Sequence, residues 1–306
     1  MPLIAAPMFR VSNVPLVAAA CRAGVIGAFP TANCRSLDEL SRWLGELREQ
    51  LGPADAPFAA NLIMRRETMA QELDLLCEAK VELVITSVGS PAAAIPALHE
   101  AGALVFADVA SLAHARKALD AGADGLVLLS AGAGGQTGSA NGMAFARAVR
   151  KFFSGPLVLA GGIADGKGLL AARALDVDFG YMGTRFIATR ESAASDAYKA
   201  MLVASDLDDV LLTSAFTGLP SNMLIPSIEA AGLSPHELPE EIAAEVSDQM
   251  YGSGGSAGAR RWSEVWSAGH SVSGVNAIPA VQTLIEDIAA EFRAAGRAMA
   301  EAMTHD

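Results

Sequence analysis

The chain has 306 residues, a formal net charge of -12 and a composition that is 52% hydrophobic, 6% aromatic and 18% charged. Such a hydrophobic fraction supports a large buried core and excludes a disordered chain. The surplus of carboxylates repels nucleic-acid backbones and anionic membrane surfaces, so neither is expected as a partner.

From the N-terminus, "MPLIAAPMFR" has no basic region ahead of an apolar stretch. No later segment reaches the roughly 18 apolar residues that a bilayer span needs, and a cytoplasmic location is expected. Cys21, Cys34 and Cys77 form no C-x-x-C pair, which fits ordinary thiols in a reducing compartment and no metal site. Short apolar runs then alternate with stretches of helical period. The predicted strands are 3–8, 25–29, 58–63, 83–88, 104–109, 125–130, 156–161 and 179–186. Between them, 36–51 and 111–122 place apolar residues at spacings of three and four behind a serine N-cap, and a glycine follows the second. Eight βα units whose strands lack strict polar alternation predict a (β/α)8 barrel covered on both faces rather than an open doubly wound sheet.

The rhythm stops after about residue 204. The Pro-rich stretch 217–241 and "YGSGGSAGARRW" (251–262) predict a small helical subdomain inserted after strand eight. The amphipathic run 279–303 predicts a helix that returns to the barrel wall. The expected division is a barrel over 1–204, a lid over 205–275 and a C-terminal helix over 276–306.

Barrels of this kind hold their chemistry at the carboxyl ends of the strands, often with phosphate on the loops after strands seven and eight. Those loops carry Gly161 and Gly162, then Gly183 and Thr184. Singly, each glycine is explained by a tight turn; together they predict a phosphorylated ligand held by backbone N–H groups. After strand six comes "SAGAGGQTGSAN" (130–141), where Gly132 and Gly134 fit the start of a G-x-G-x-x-G but Thr137 stands in the third position. A backbone lying against a flat ring such as a flavin is the expectation for this loop.

These residues resemble the nitronate monooxygenases, formerly 2-nitropropane dioxygenases, which are FMN-dependent barrels. The resemblance rests on "APM" (6–8), "AANLI" (59–63), "LVITSVGSP" (83–91), "GADGLVLLSAGAGGQTG" (122–138), "LVLAGGIADGKGLLAARALDVDFGYMGTRFIATRES" (157–192), "TGLPSNML" (217–224) and "WSAG" (266–269). The segment 161–192 is also similar to flavin-dependent enoyl-thioester reductases. The resemblance implies FMN contacts from Ala6, Pro7, Met8, Asn61 and Asp108, and from Ala131, Gly134, Gly135, Gln136 and Gly138. It further implies a phosphate site at Gly161, Gly162, Gly183 and Thr184, closed by Ser267, Ala268 and Gly269.

One position departs from the pattern, since "GGQTG" stands where the family carries "GGH.G" and uses the histidine as base. An amide cannot act as a general base near neutral pH, but it donates hydrogen bonds. The expected reaction is therefore oxidation of an already anionic alkyl nitronate with O2, oriented by Gln136. The alternative is NAD(P)H-dependent reduction of a quinone or enoyl thioester, where the same amide would meet a carbonyl. His270, beside "WSAG", is a candidate replacement base or a polar residue of the mouth; His99, His114, His236 and His305 are read as structural. A non-catalytic flavin-binding protein and a phosphosugar isomerase or aldolase are further readings. The last predicts a colourless protein with a Lys or Glu at a strand end, and the predicted strand ends carry neither. A monomer or a homodimer is expected.

Overall fold

A computed structural model describes residues 1–240, 242–243, 246, 250 and 260–304. Eight parallel strands close into a barrel: β1 (Leu3–Ala5), β2 (Ile26–Pro30), β3 (Phe58–Ile63), β4 (Leu83–Ser87), β5 (Leu104–Val109), β6 (Gly125–Leu129), β8 (Leu157–Ala160) and β9 (Phe179–Met182). Ile4, Ala28, Ala59, Ile85, Phe106, Val127 and Val158 fill its interior as one apolar cluster, while the intervening residues of each strand face the outer helices.

Side-chain caps set the helix starts where the sequence places them. The Ser36 hydroxyl accepts from the Glu39 amide at the head of Leu37–Gln50, and Ser111 does the same for His114 at the head of Leu112–Asp120, each satisfying an orphan donor of the first turn. The eighth strand is shorter than its predicted span 179–186, because Thr184–Ile187 turns helical straight after Gly183.

The long C-terminal helix α11 (Val281–Met303) packs beside α7 (Gly166–Ala174) and α1 (Val14–Arg22). A Cβ on Gly166 would lie 2.1 Å from the Phe292 nitrogen and 2.4 Å from the Ile288 carbonyl oxygen. The absence of a side chain is what lets the two helix backbones touch.

The inserted segment contains the helix α10 (Ile225–Ala230) and 3-10 turns, and it adds an element the sequence reading did not anticipate. Strands β10 (Val210–Thr213) and β11 (Ser221–Leu224) form an antiparallel hairpin, and β11 pairs in turn with β7 (Gly135–Gln136), in the loop that follows β6. Phe216, Met223, Ile228 and Val265 give this sheet its own small core. The flexible connection expected over 251–262 lies outside the described residues except for 260–262, and His305 also lies outside them.

Gly166→Ala is expected to destabilise the fold by about 2–3 kcal/mol through overpacking at the α7–α11 crossing. Gly296→Ala, on α11 with nothing within 4 Å of a new Cβ, is expected to stabilise it by about 1 kcal/mol. Denaturant melts of the two variants check both signs.

Candidate functional site

A cavity of about 490 Å³ opens at the carboxyl end of the barrel, within the size range of small-molecule sites. It gathers Ala6, Pro7, Met8, Asn61, Asp108, Gly134, Gly135, Gln136, Gly161, Gly162, Gly183, Thr184, Ser267 and Ala268 into its wall. Ala131, Gly138, Gly269 and His270, also expected there, do not line it.

The exceptions have structural reasons. A Cβ at Gly138 would lie 2.2 Å from the Leu129 carbonyl oxygen, so this glycine serves the turn back toward the barrel. Ala131 spends its amide on the Ala140 carbonyl at 2.7 Å. Gly269 lies behind the wall, donating its amide to the Thr184 hydroxyl at 3.0 Å. The His270 amide bonds the Gly132 carbonyl at 2.9 Å, and its exposed imidazole lies against Gly132, where a Cβ would meet Nδ1 at 2.7 Å. That geometry does not support His270 as a base acting in the cavity.

The glycine-rich loop does more than face a ligand. Gly134 lies against the backbone of Ala268 and Gly269, and a Cβ there would be 2.8 Å from the Gly269 nitrogen. The loop is thereby held to the "WSAG" segment on one side and opens to the cavity on the other. Further ties fix the segment: the Tyr198 hydroxyl donates to the Ser267 carbonyl, and its ring stacks on Trp266 at 4.9 Å between centroids. Leu224 donates its amide to the Trp266 carbonyl at 2.8 Å, and the Asn222 side-chain amide reaches the Ala133 carbonyl at 2.7 Å.

The loops after β8 and β9 form a cradle of donors. Gly162 is left-handed, at φ +76°, with nothing within 4 Å of a Cβ position. Among the described residues, the amides of Gly162, Gly183 and Thr184 donate to no protein acceptor. Free N–H groups around open space fit a phosphate.

Across the barrel, Asn61 braces its neighbours, donating to the Ile85 carbonyl at 2.9 Å and accepting from Ser87 at 3.3 Å. The loop 6–13 is fixed by Asn33, whose side-chain amide donates to the Met8 and Ser12 carbonyls and whose oxygen accepts the Arg10 amide at 2.7 Å. Arg10, Val88 and Trp262 all have positive φ and all line the mouth. For Val88, β-branched at φ +52°, this is a strained conformation of the kind that gathers at binding sites.

The sequence reading missed Tyr181. Its hydroxyl and Oδ1 of Asp108 are the buried side-chain atoms without a hydrogen-bond partner among the described residues, and both residues line the cavity. Burial pushes the Asp108 carboxyl up to about 7. Tyr181 is raised well above 10 by burial and then by the nearby Asp108. Its signal lay in "FGYMGTRF", where a phenol inside an otherwise apolar barrel strand requires a polar partner.

Because the folded-state carboxyl sits above its ordinary 3.8, the stability linked to Asp108 is full below about pH 4 and is lost as pH rises through 7. Asp108→Asn is therefore expected to gain stability relative to the parent on going from pH 4.5 to pH 8.5. Thermal melts of the ligand-free protein check this, and a difference that does not change with pH would contradict it.

Comparison with known proteins matches the chain to a family. The model of the family "Nitronate monooxygenase" matches residues 65–291. A curated relative from Mycobacterium tuberculosis, (3aS,4S,5R,7aS)-5-hydroxy-7a-methyl-1-oxo-octahydro-1H-indene-4-carboxyl-CoA dehydrogenase, is 29% identical over 226 residues, covering 73% of this chain and 62% of the relative's length. Among solved structures, FabK from Thermotoga maritima superposes with a TM-score of 0.82 at 28% identity, over 98% of this chain and 95% of that one. Nitroalkane oxidase from Streptomyces ansochromogenes does so with a TM-score of 0.84 at 26% identity, over 98% and 97% of the two chains. With the family model covering most of the barrel and its mouth, the chain belongs to the nitronate monooxygenase family.

Proposed function

We propose that the protein is an FMN-dependent oxidoreductase that oxidises preformed alkyl nitronates with O2. The observation that carries this reading is the chemistry of the cavity wall. Among the described lining residues there is no histidine, lysine, cysteine or glutamate; Gln136 offers an amide, and Arg10, Arg260 and Arg261 stand in the wall. The one carboxyl of the wall, Asp108, lies on the barrel side at the end of β5, and the amide and guanidinium groups around the rest of the wall suit the attraction and orientation of an anion.

The residues fit the cofactor. The unpartnered amides of Gly162, Gly183 and Thr184 would hold its phosphate, and Met8, Asn61 and the Gly134–Gln136 backbone would border the ring. Electron transfer from substrate to dioxygen is the chemistry that bound FMN supplies. The chain contributes the rest. The pairing of β7 with β11 fixes the Gln136 backbone at the cavity edge, from where its side-chain amide would donate to the nitro oxygens. The arginines add long-range attraction for an anionic substrate in a chain that is acidic overall.

A second reading, reduction of a quinone or enoyl thioester by NAD(P)H, is favoured by one observation: the relative from Mycobacterium tuberculosis is a dehydrogenase of a carboxyl-CoA compound. In that reaction Gln136 would donate to the carbonyl.

Anaerobic mixing of the oxidised holoprotein with propyl nitronate, NADH and NADPH separates the two. Bleaching of the flavin band by nitronate alone is the expected result; bleaching by a nicotinamide alone would replace the first reading with the second. Gln136→Ala is expected to lower kcat/KM for nitronate by about 10- to 100-fold, the lower end of the range for a preorganised oxyanion donor because Gln136 is exposed. Gln136→His is expected to introduce turnover of neutral nitroalkanes, read as oxygen uptake.

A further inference from the structure

The feature of the mouth that the proposed reaction leaves unused is the backbone at Val88. A β-branched residue at φ +52° is strained, and glycine would hold the same conformation at no steric cost. The chain on either side is fixed. The Met64 amide donates to the Ser87 carbonyl at 2.9 Å, and the Ser87 hydroxyl donates to the Asn61 side-chain oxygen at 3.3 Å. Gly89 lies so close to Met64 that a Cβ on the glycine would be 2.8 Å from the Met64 Cβ. The neighbours thus dictate the turn, and what valine adds over glycine is an isopropyl group, 36% exposed, in the wall of the cavity.

A second exposed apolar side chain stands in the same wall. Phe9 is 41% exposed, and the residue after it, Arg10, is also left-handed at φ +61° and tied by its amide to the Asn33 side chain at 2.7 Å. The Arg10 guanidinium lies over the Phe9 ring at 5.6 Å from its centroid, which restrains the ring. Between the loops that carry Phe9 and Val88, after β1 and β4, strands β2 and β3 contribute Pro30 and Ile63. The polar side chains of this half are committed, since Ser87 bonds Asn61 and Asn61 donates to the Ile85 carbonyl. Its charged group is the exposed Arg10. The half of the mouth over β1–β4 therefore offers hydrocarbon, whereas the amides without a protein acceptor among the described residues belong to the loops after β8 and β9.

We propose that Phe9 and Val88 form an apolar lip that receives the carbon chain of the substrate, and that the two are specificity-determining residues favouring long unbranched chains over short ones. The proposal rests on the reading of the cavity as the site of an anionic nitronate, whose head would face Gln136. Strain at a binding site points to a side chain whose position matters. A lip held in place before the substrate arrives loses little order on binding, so the gain from each methylene it covers is kept. Complete burial of a methylene is worth roughly fourfold in affinity, and a lip open to solvent about twofold.

The test is calorimetric titration of the protein as purified with sodium propanoate, pentanoate and heptanoate. A carboxylate carries the planar, two-oxygen, singly charged head of a nitronate, and its binding is read without turnover. Affinity is expected to rise about 15-fold from propanoate to heptanoate, at about twofold per methylene. Phe9→Ala and Val88→Gly are each expected to cut that rise to about fourfold or less. Val88→Gly is also expected to raise the melting temperature by about 2 °C by relieving the backbone, whereas Val88→Ile keeps both the chain preference and the parent's melting temperature. A flat series in the parent, or a rise that survives in both variants, would overturn the lip. So would a lower melting temperature for Val88→Gly, which would remove the strain from which the inference starts. A flat series together with bleaching of the flavin by propyl nitronate overturns the lip and leaves nitronate oxidation standing. The expected rise, lost in the variants, together with a flavin that no nitronate bleaches, supports the lip and overturns nitronate oxidation.

Discussion

Everything at the mouth of this barrel depends on two backbones lying directly against each other. Gly134 lies against the backbone of Ala268 and Gly269 with no side chain between them, and any Cβ at Gly134 would enter the Gly269 amide. This contact brings a distant stretch of chain over the barrel axis, sets β7 beside β11, and so fixes Gln136 at the edge of the cavity. Glycine in this loop is a packing requirement first, and the ligand faces what the packing leaves open.

The cavity is organised by charge as well as by shape. Arginines belong to loops at its outer part, donors without partners lie over β8 and β9, and the barrel side holds a carboxyl that burial keeps from ionising readily. Such an order offers favourable surroundings to anionic groups at two places, the outer loops and the cradle.

The barrel was legible in the sequence because each strand is an apolar run and the helices carry local caps: Ser36, Ser111 and the periodicity behind them depend on residues three or four apart. Strand ends were less legible, as at Gly183, where the chain passes into a helical turn that has the same composition as a strand. The antiparallel sheet was not legible. Its β7 is two residues long and pairs with β11 far away in the chain, and β10 joins the sheet only through its hairpin with β11. Tyr181 was passed over because a tyrosine in a strand is ordinary core material until its hydroxyl is seen to lack a partner. The left-handed backbone of Val88 and Trp262 likewise follows from tertiary contacts that no local pattern encodes.

The sheet at the mouth also orders events during folding. Apart from the β1–β9 closure, neighbouring barrel strands join segments close in sequence, whereas Asn222 bonds Ala133 from 89 residues away and Gly269 bonds Thr184 from 85 residues away. Contacts that close such long loops gain nothing until the intervening chain is ordered. The barrel is thus the scaffold on which the far wall condenses, and a nascent chain still lacking residues 221–270 presents the cradle of Gly162 and Gly183 without its cover. Only when the last third of the polypeptide has been made does the pocket acquire both of its sides.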